Sequence, residues 1–143
     1  MSSMSSRPGS SDGQGGQPGA TPKSDGVILL YHGSPEPRWL ENAEWMSHEV
    51  EAALPGVAIQ FACLKEIEPS IMDAAQRLAG AGVTHALVVP MFIAPGGHAA
   101  KDFPILAREL SARWPHVQFR WTDVVGGWEE VARAVGKGIS SRL

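Results

Sequence analysis

The sequence predicts an α/β fold, a single domain built as a three-layer α/β/α sandwich around a four-stranded parallel sheet. Three observations lead there. Short β-branched runs alternate with longer stretches of helical period, the runs are continuously apolar, and four such units fit within 143 residues. Residues 1–25 are mostly Ser, Gly, Pro and Gln, with no branched apolar or aromatic side chain, so they are expected to form a disordered tail. Residues 26–143, about 118 in all, are expected to form one folded domain.

The first strand is expected at Val27–Tyr31, apolar throughout because helices cover both faces. A helix follows, with Trp39, Ala43, Met46, Val50 and Leu54 stepping by three or four until Pro55-Gly56 stops it. The second strand runs Val57–Leu64. Glu68-Pro69-Ser70 opens the next helix, with Pro69 expected in its first turn and Ile71, Ala75, Leu78 and Ala81 on its buried stripe. The third strand, Ala86–Ile93, is the most apolar and is expected at the centre of the sheet. After Ala94-Pro95-Gly96-Gly97-His98 comes a helix with Phe103, Leu106, Leu110 and Trp114 on one face. Val117–Thr122 makes the fourth strand, and Trp128, Val131, Val135 and Ile139 line the last helix.

The chain carries 15 acidic against 12 basic residues, a net charge of −3, and has a pI near 5.9. No strongly basic field exists to hold a nucleic-acid backbone, and no apolar run approaches the ~18 residues of a membrane span. The expectation is a cytoplasmic protein with neither nucleic acid nor membrane as partner. The lone Cys63, between Ala62 and Leu64, reads as a small core residue rather than a nucleophile.

In an open parallel sheet, ligands bind beyond the carboxyl ends of the strands. That rule selects three loops: His32–Arg38, Lys65–Glu68 and Pro95–His98. Of the five histidines, His32 and His98 fall in these loops, each beside glycine. His48 belongs to a solvated helix face, and His85 and His116 to the amino edge of the sheet.

At this point the chain resembles a family. Val27–Ser34 with its Tyr31-His32-Gly33-Ser34, then Glu68-Pro69-Ser70, then Val88–His98, then Lys101-Asp102-Phe103-Pro104 look like the small sirohydrochlorin chelatases of the CbiX/SirB type. The resemblance implies a chelatase-like, flavodoxin-related fold. It also implies a lyase that inserts cobalt(II), or in relatives iron(II) or nickel(II), into a modified tetrapyrrole of cobalamin or siroheme biosynthesis. The metal is then a substrate, and no prosthetic group is expected. By the same resemblance His32 is metal ligand and proton acceptor, and His98 is the second ligand. Glu68 and the segment Ile93, Ala94, Pro95, Gly96, Gly97 and His98 contact the substrate.

The residue chemistry fits this role. Metal insertion releases the inner pyrrole protons, so the site needs a base active near neutrality and ligands that let the metal go. Neutral imidazole, titrating ordinarily at about 6.5, does both. Gly33, Gly96 and Gly97 admit a flat ring close to the backbone. Ser34, Arg38, Lys65 and Lys101 are placed to pair with the carboxylates of sirohydrochlorin.

Many bacterial relatives have a glutamate directly after the leucine of the second strand, where this chain has Lys65 and then Glu66. Either Glu66 or Glu68 supplies the carboxylate, or Lys65 holds a substrate carboxylate, or the protein carries metal or tetrapyrrole without turnover. Phosphoryl transfer through a histidine is disfavoured, because Tyr31 stands where a phosphate-clamping arginine is wanted. Serine hydrolysis lacks its G-x-S-x-G turn. A domain of this length, with a radius of gyration of roughly 13 Å, covers only one side of a tetrapyrrole, which predicts a homodimer.

Overall fold

The computed structural model describes residues 23–64, 67–94 and 96–143, except for the side chains of 97–100. Its elements are β1 (Asp25–Tyr31), α1 (Pro37–Ala53), β2 (Ala58–Cys63), α2 (Ile71–Gly80), β3 (His85–Pro90), α3 (Gly97–Arg113), β4 (Gln118–Trp121), a 3₁₀ turn (Val125–Gly127) and α4 (Glu129–Ser140). The expected tail lies outside the described residues up to position 22. Ser24 already belongs to the fold, since its carbonyl accepts the N–H groups of Thr84 and His85.

The four strands are all parallel, in the order β2-β1-β3-β4. β1 and β3 therefore share the centre. The side chains of β1 alternate between two cores. Ile28 and Leu30 enter one with Ala74, Leu78, Val88, Leu110 and Trp114, which places α2 and α3 on that face. Val27, Leu29 and Tyr31 enter the other with Ala43 and Val89, against Trp39 and Val50 of α1. The continuous apolar run thus reflects a strand covered on both sides.

Three expectations are corrected in detail. β3 ends at Pro90 rather than Ile93, and His85 is its first residue. Pro69 is not in the first turn of α2. Ser70 is the N-cap, joined to Asp73 in a reciprocal capping box, and the Pro69 carbonyl instead accepts the Cys63 N–H at 2.8 Å. The stripe of α4 is not buried against the sheet either. Trp128 and Val131 are half-buried, but Val135 and Ile139 are more than half exposed, at 56% and 55%. The reason lies in β4. Phe119 and Trp121 pack toward α2 and α3, leaving polar Gln118 and Arg120, both exposed, on the alternate positions. An apolar helix stripe finds no matching surface there, and α4 packs against the 3₁₀ turn.

Candidate functional site

The strand order places the site. The chain leaves β1 for α1 on one face of the sheet and leaves β3 for α3 on the other, so the crevice between the carboxyl ends of β1 and β3 is the switch point. His32 is the first residue beyond β1, and the Ile93–His98 segment follows β3.

His32 is exposed, and its Nδ1 lies 3.3 Å from the Gly33 carbonyl. Behind it, Tyr31 is buried edge-on to Trp39 and Phe61, with ring centroids at 5.6 and 6.5 Å, which anchors the end of β1. Burial pushes the Tyr31 phenol up to about 12, so it stays neutral. Gly33 adopts a φ of +99°, and a Cβ there would sit 3.1 Å from Cys63 Cβ. Glycine is thus needed both to turn the chain out of β1 and to pass β2 closely. Ser34 does local work: its hydroxyl accepts the Glu36 N–H at 3.1 Å just ahead of α1.

The loop after β2 is drawn to the same place. The Leu64 N–H donates to the Tyr31 carbonyl at 2.7 Å, and Cys63 pairs with Ser70, so the excursion is closed at its base. Ile67 Cδ1 lies 3.6 Å from the position a Gly33 Cβ would take. Glu68, the next residue, is exposed beside the His32 loop with its carboxylate unpaired among the described residues. Cys63 itself is buried, and burial pushes its thiol up, in keeping with a core residue rather than a nucleophile.

Beyond β3, Phe92 stacks on Phe103 of α3 at 5.9 Å, and Phe103 meets Trp121 of β4 at 5.2 Å. Ile93 then turns outward, 81% exposed, an unusual state for a large apolar side chain. Ala94 and Gly96 are exposed too, and nothing lies within 4 Å of a Cβ built on Gly96. Gly96 is also the N-cap of α3.

Gly97 and His98 stand in the first turn of α3; the side chain of His98 lies outside the described residues, as do Pro95, Lys65 and Glu66. Arg38 and Lys101 are exposed, on the first turn of α1 and on α3, with no ion pair among the described residues. Three loops selected from the sequence therefore converge on one edge through His32, Glu68 and Ile93.

Sequence reasoning missed a fourth loop. Trp121, Thr122, Asp123, Trp128 and Glu130 line an open depression of about 470 Å³ at the carboxyl end of β4, and Trp128 Nε1 donates to the Asp123 carbonyl at 3.0 Å. The Gly126-Gly127 pair shortly after the fourth strand was the available signal. At the opposite edge, His85 and His116 border a depression of about 440 Å³. Both are exposed, and His85 Nδ1 is 3.1 Å from the Thr84 hydroxyl. Among the described residues no three His, Cys, Asp or Glu side chains cluster to hold a metal, there or elsewhere.

The sheet order and the convergent loops define a flavodoxin-like α/β protein with its site at the β1/β3 switch point. The chain belongs to the CbiX family, whose model matches residues 26–142. It is 25% identical over 125 residues to a sirohydrochlorin cobaltochelatase of Saccharolobus islandicus, covering 80% of this chain and 93% of that protein. It is 26% identical over 109 residues to the sirohydrochlorin ferrochelatase of Bacillus subtilis, covering 76% of this chain but 42% of that longer one. Among solved structures, a putative cobalamin biosynthesis CbiX protein from Marinobacter aquaeolei superposes with a TM-score of 0.72 at 30% identity, covering 82% of this chain and 96% of that one. Among the described residues, no helix is long and apolar enough to cross a membrane.

Proposed function

We propose that this chain is a sirohydrochlorin chelatase, a lyase that inserts a divalent metal into the tetrapyrrole, cobalt(II) by preference, with iron(II) or nickel(II) as alternatives. The observation that carries this reading is the position of His32. It stands exposed at the end of a central strand, at the switch point, with Glu68 on one side and the Ile93–His98 segment on the other.

In the proposed reaction His32 binds the incoming metal and accepts protons from the pyrrole nitrogens, two of which leave for each M²⁺ that enters. His98 is the second metal ligand. Glu68 and the segment Ile93–His98 hold the macrocycle, and Ser34, Arg38, Lys65 and Lys101 are the candidates for its carboxylates. Two imidazoles suit a metal that must be released, and relatives named for cobalt and for iron fit a ligand set that does not commit to either. The proposal includes a cytoplasmic location and a homodimer.

The test mixes purified protein, sirohydrochlorin and cobalt(II) or iron(II), and follows the absorption change on metallation against the uncatalysed rate. Acceleration is expected. Tight tetrapyrrole binding with no acceleration would replace the enzyme by the carrier reading that Lys65 raised.

A further inference from the structure

We propose that Gly126 is a positioning residue for the tetrapyrrole, acting through the backbone of Ile93; this rests on the chelatase reading. The 3₁₀ turn Val125–Gly127 lies directly under the start of the β3–α3 segment. The Gly126 N–H donates to the Phe92 carbonyl at 2.9 Å, and a Cβ built on Gly126 would run into the Ile93 carbonyl. The obstructing atoms are backbone, so no side-chain rotation relieves the clash, and either the turn or the Ile93 segment must move. Gly126 adopts no left-handed φ, so the requirement for glycine is steric alone.

The other side of the same segment is held by the Phe92–Phe103–Trp121 stack. Phe92 and Ile93 are thus gripped between α3 and β4 on one side and the bare Cα of Gly126 on the other. The grip fixes where the exposed Ile93 side chain points. A chain that keeps so large an apolar group 81% exposed and pins its backbone holds a surface ready for a flat, largely apolar ring.

The neighbouring glycine supplies the control, since nothing lies within 4 Å of a Cβ on Gly127. Gly126→Ala is expected to raise the KM for sirohydrochlorin and lower kcat/KM on the order of 10²-fold, the effect of displacing a binding group by about 1 Å. The KM for cobalt(II) should change far less, because His32 is untouched and the backbone of His98 belongs to α3 rather than to the displaced turn, and Gly127→Ala should match wild type. Loss of kcat with the KM for sirohydrochlorin unchanged would mean a smaller folded fraction and would overturn the positioning role.

A second measurement needs neither variant nor substrate. Amide-resolved hydrogen exchange of the wild-type chain should find the Gly126 N–H protected, and exchange at the unprotected rate would overturn the grip. A wild-type chain that neither binds nor metallates sirohydrochlorin would sink the chelatase reading, and with it the tetrapyrrole role, while Gly126 protection would still decide whether Ile93 is held.

Discussion

Neutral imidazole binds first-row metals and accepts protons near neutrality, so in the proposed reaction removing His32 removes both functions at once. His32→Ala is expected to slow metallation by 10²–10⁴-fold, on the order of what a positioned base contributes. His98→Ala should chiefly raise the KM for metal. Stopped-flow absorption of the tetrapyrrole measures both, and an unimpaired His32→Ala rate would remove His32 from the mechanism. The place of His32 at the end of the first strand was legible in the sequence because it follows an apolar run. Gly126 was not, because its importance appears only when the Ile93 carbonyl is placed against it.

Among the elements, α2 has the clearest local cause. Ser70 Oγ accepts the Asp73 N–H at 3.1 Å, and the Asp73 carboxylate accepts the Ser70 N–H at 3.0 Å. The same box closes the loop that carries Glu68. Ser70→Ala is expected to cost about 1 kcal/mol at neutral pH. The hydrogen bond from the Ser70 backbone holds the Asp73 carboxyl below its ordinary value, helped by the Ser70 hydroxyl and by Arg77. A carboxyl lowered in the folded state stabilises the fold above its unfolded value, about 4, and that stabilisation is lost as pH falls through the lowered value. The gap in Tm between wild type and Asp73→Asn should therefore be present at neutral pH and close on acidification; a gap independent of pH would refute the box. The Ser-x-x-Asp spacing was written in the sequence, yet Pro69 drew the helix start two residues too early. The α4 stripe was likewise legible as a helix, but its burial depended on Gln118-Phe119-Arg120-Trp121, whose alternation already gives the α4 side of β4 its polar positions.

On the scale of the molecule, the exposed α4 face bears on the proposed homodimer. The Bacillus subtilis relative is more than twice as long as the part this chain matches. In the proposed homodimer a second copy would supply an equivalent lobe, and Val135 and Ile139, with the exposed Trp45 of α1, are the apolar positions proposed to meet it. An apolar stripe on a helix that its own sheet refuses is stable in water only at a cost, which a self-complementary contact removes. The full chain is therefore expected to sediment as a dimer. Val135→Glu with Ile139→Glu should shift it to monomer by placing like charges across the contact, with the fold retained because neither side chain is buried in it. If the tetrapyrrole is held between two copies, metallation should fall with the dimer fraction and recover at higher protein concentration in the single variants. A wild-type monomer with full activity, measured by light scattering at assay concentration, would show that one lobe suffices.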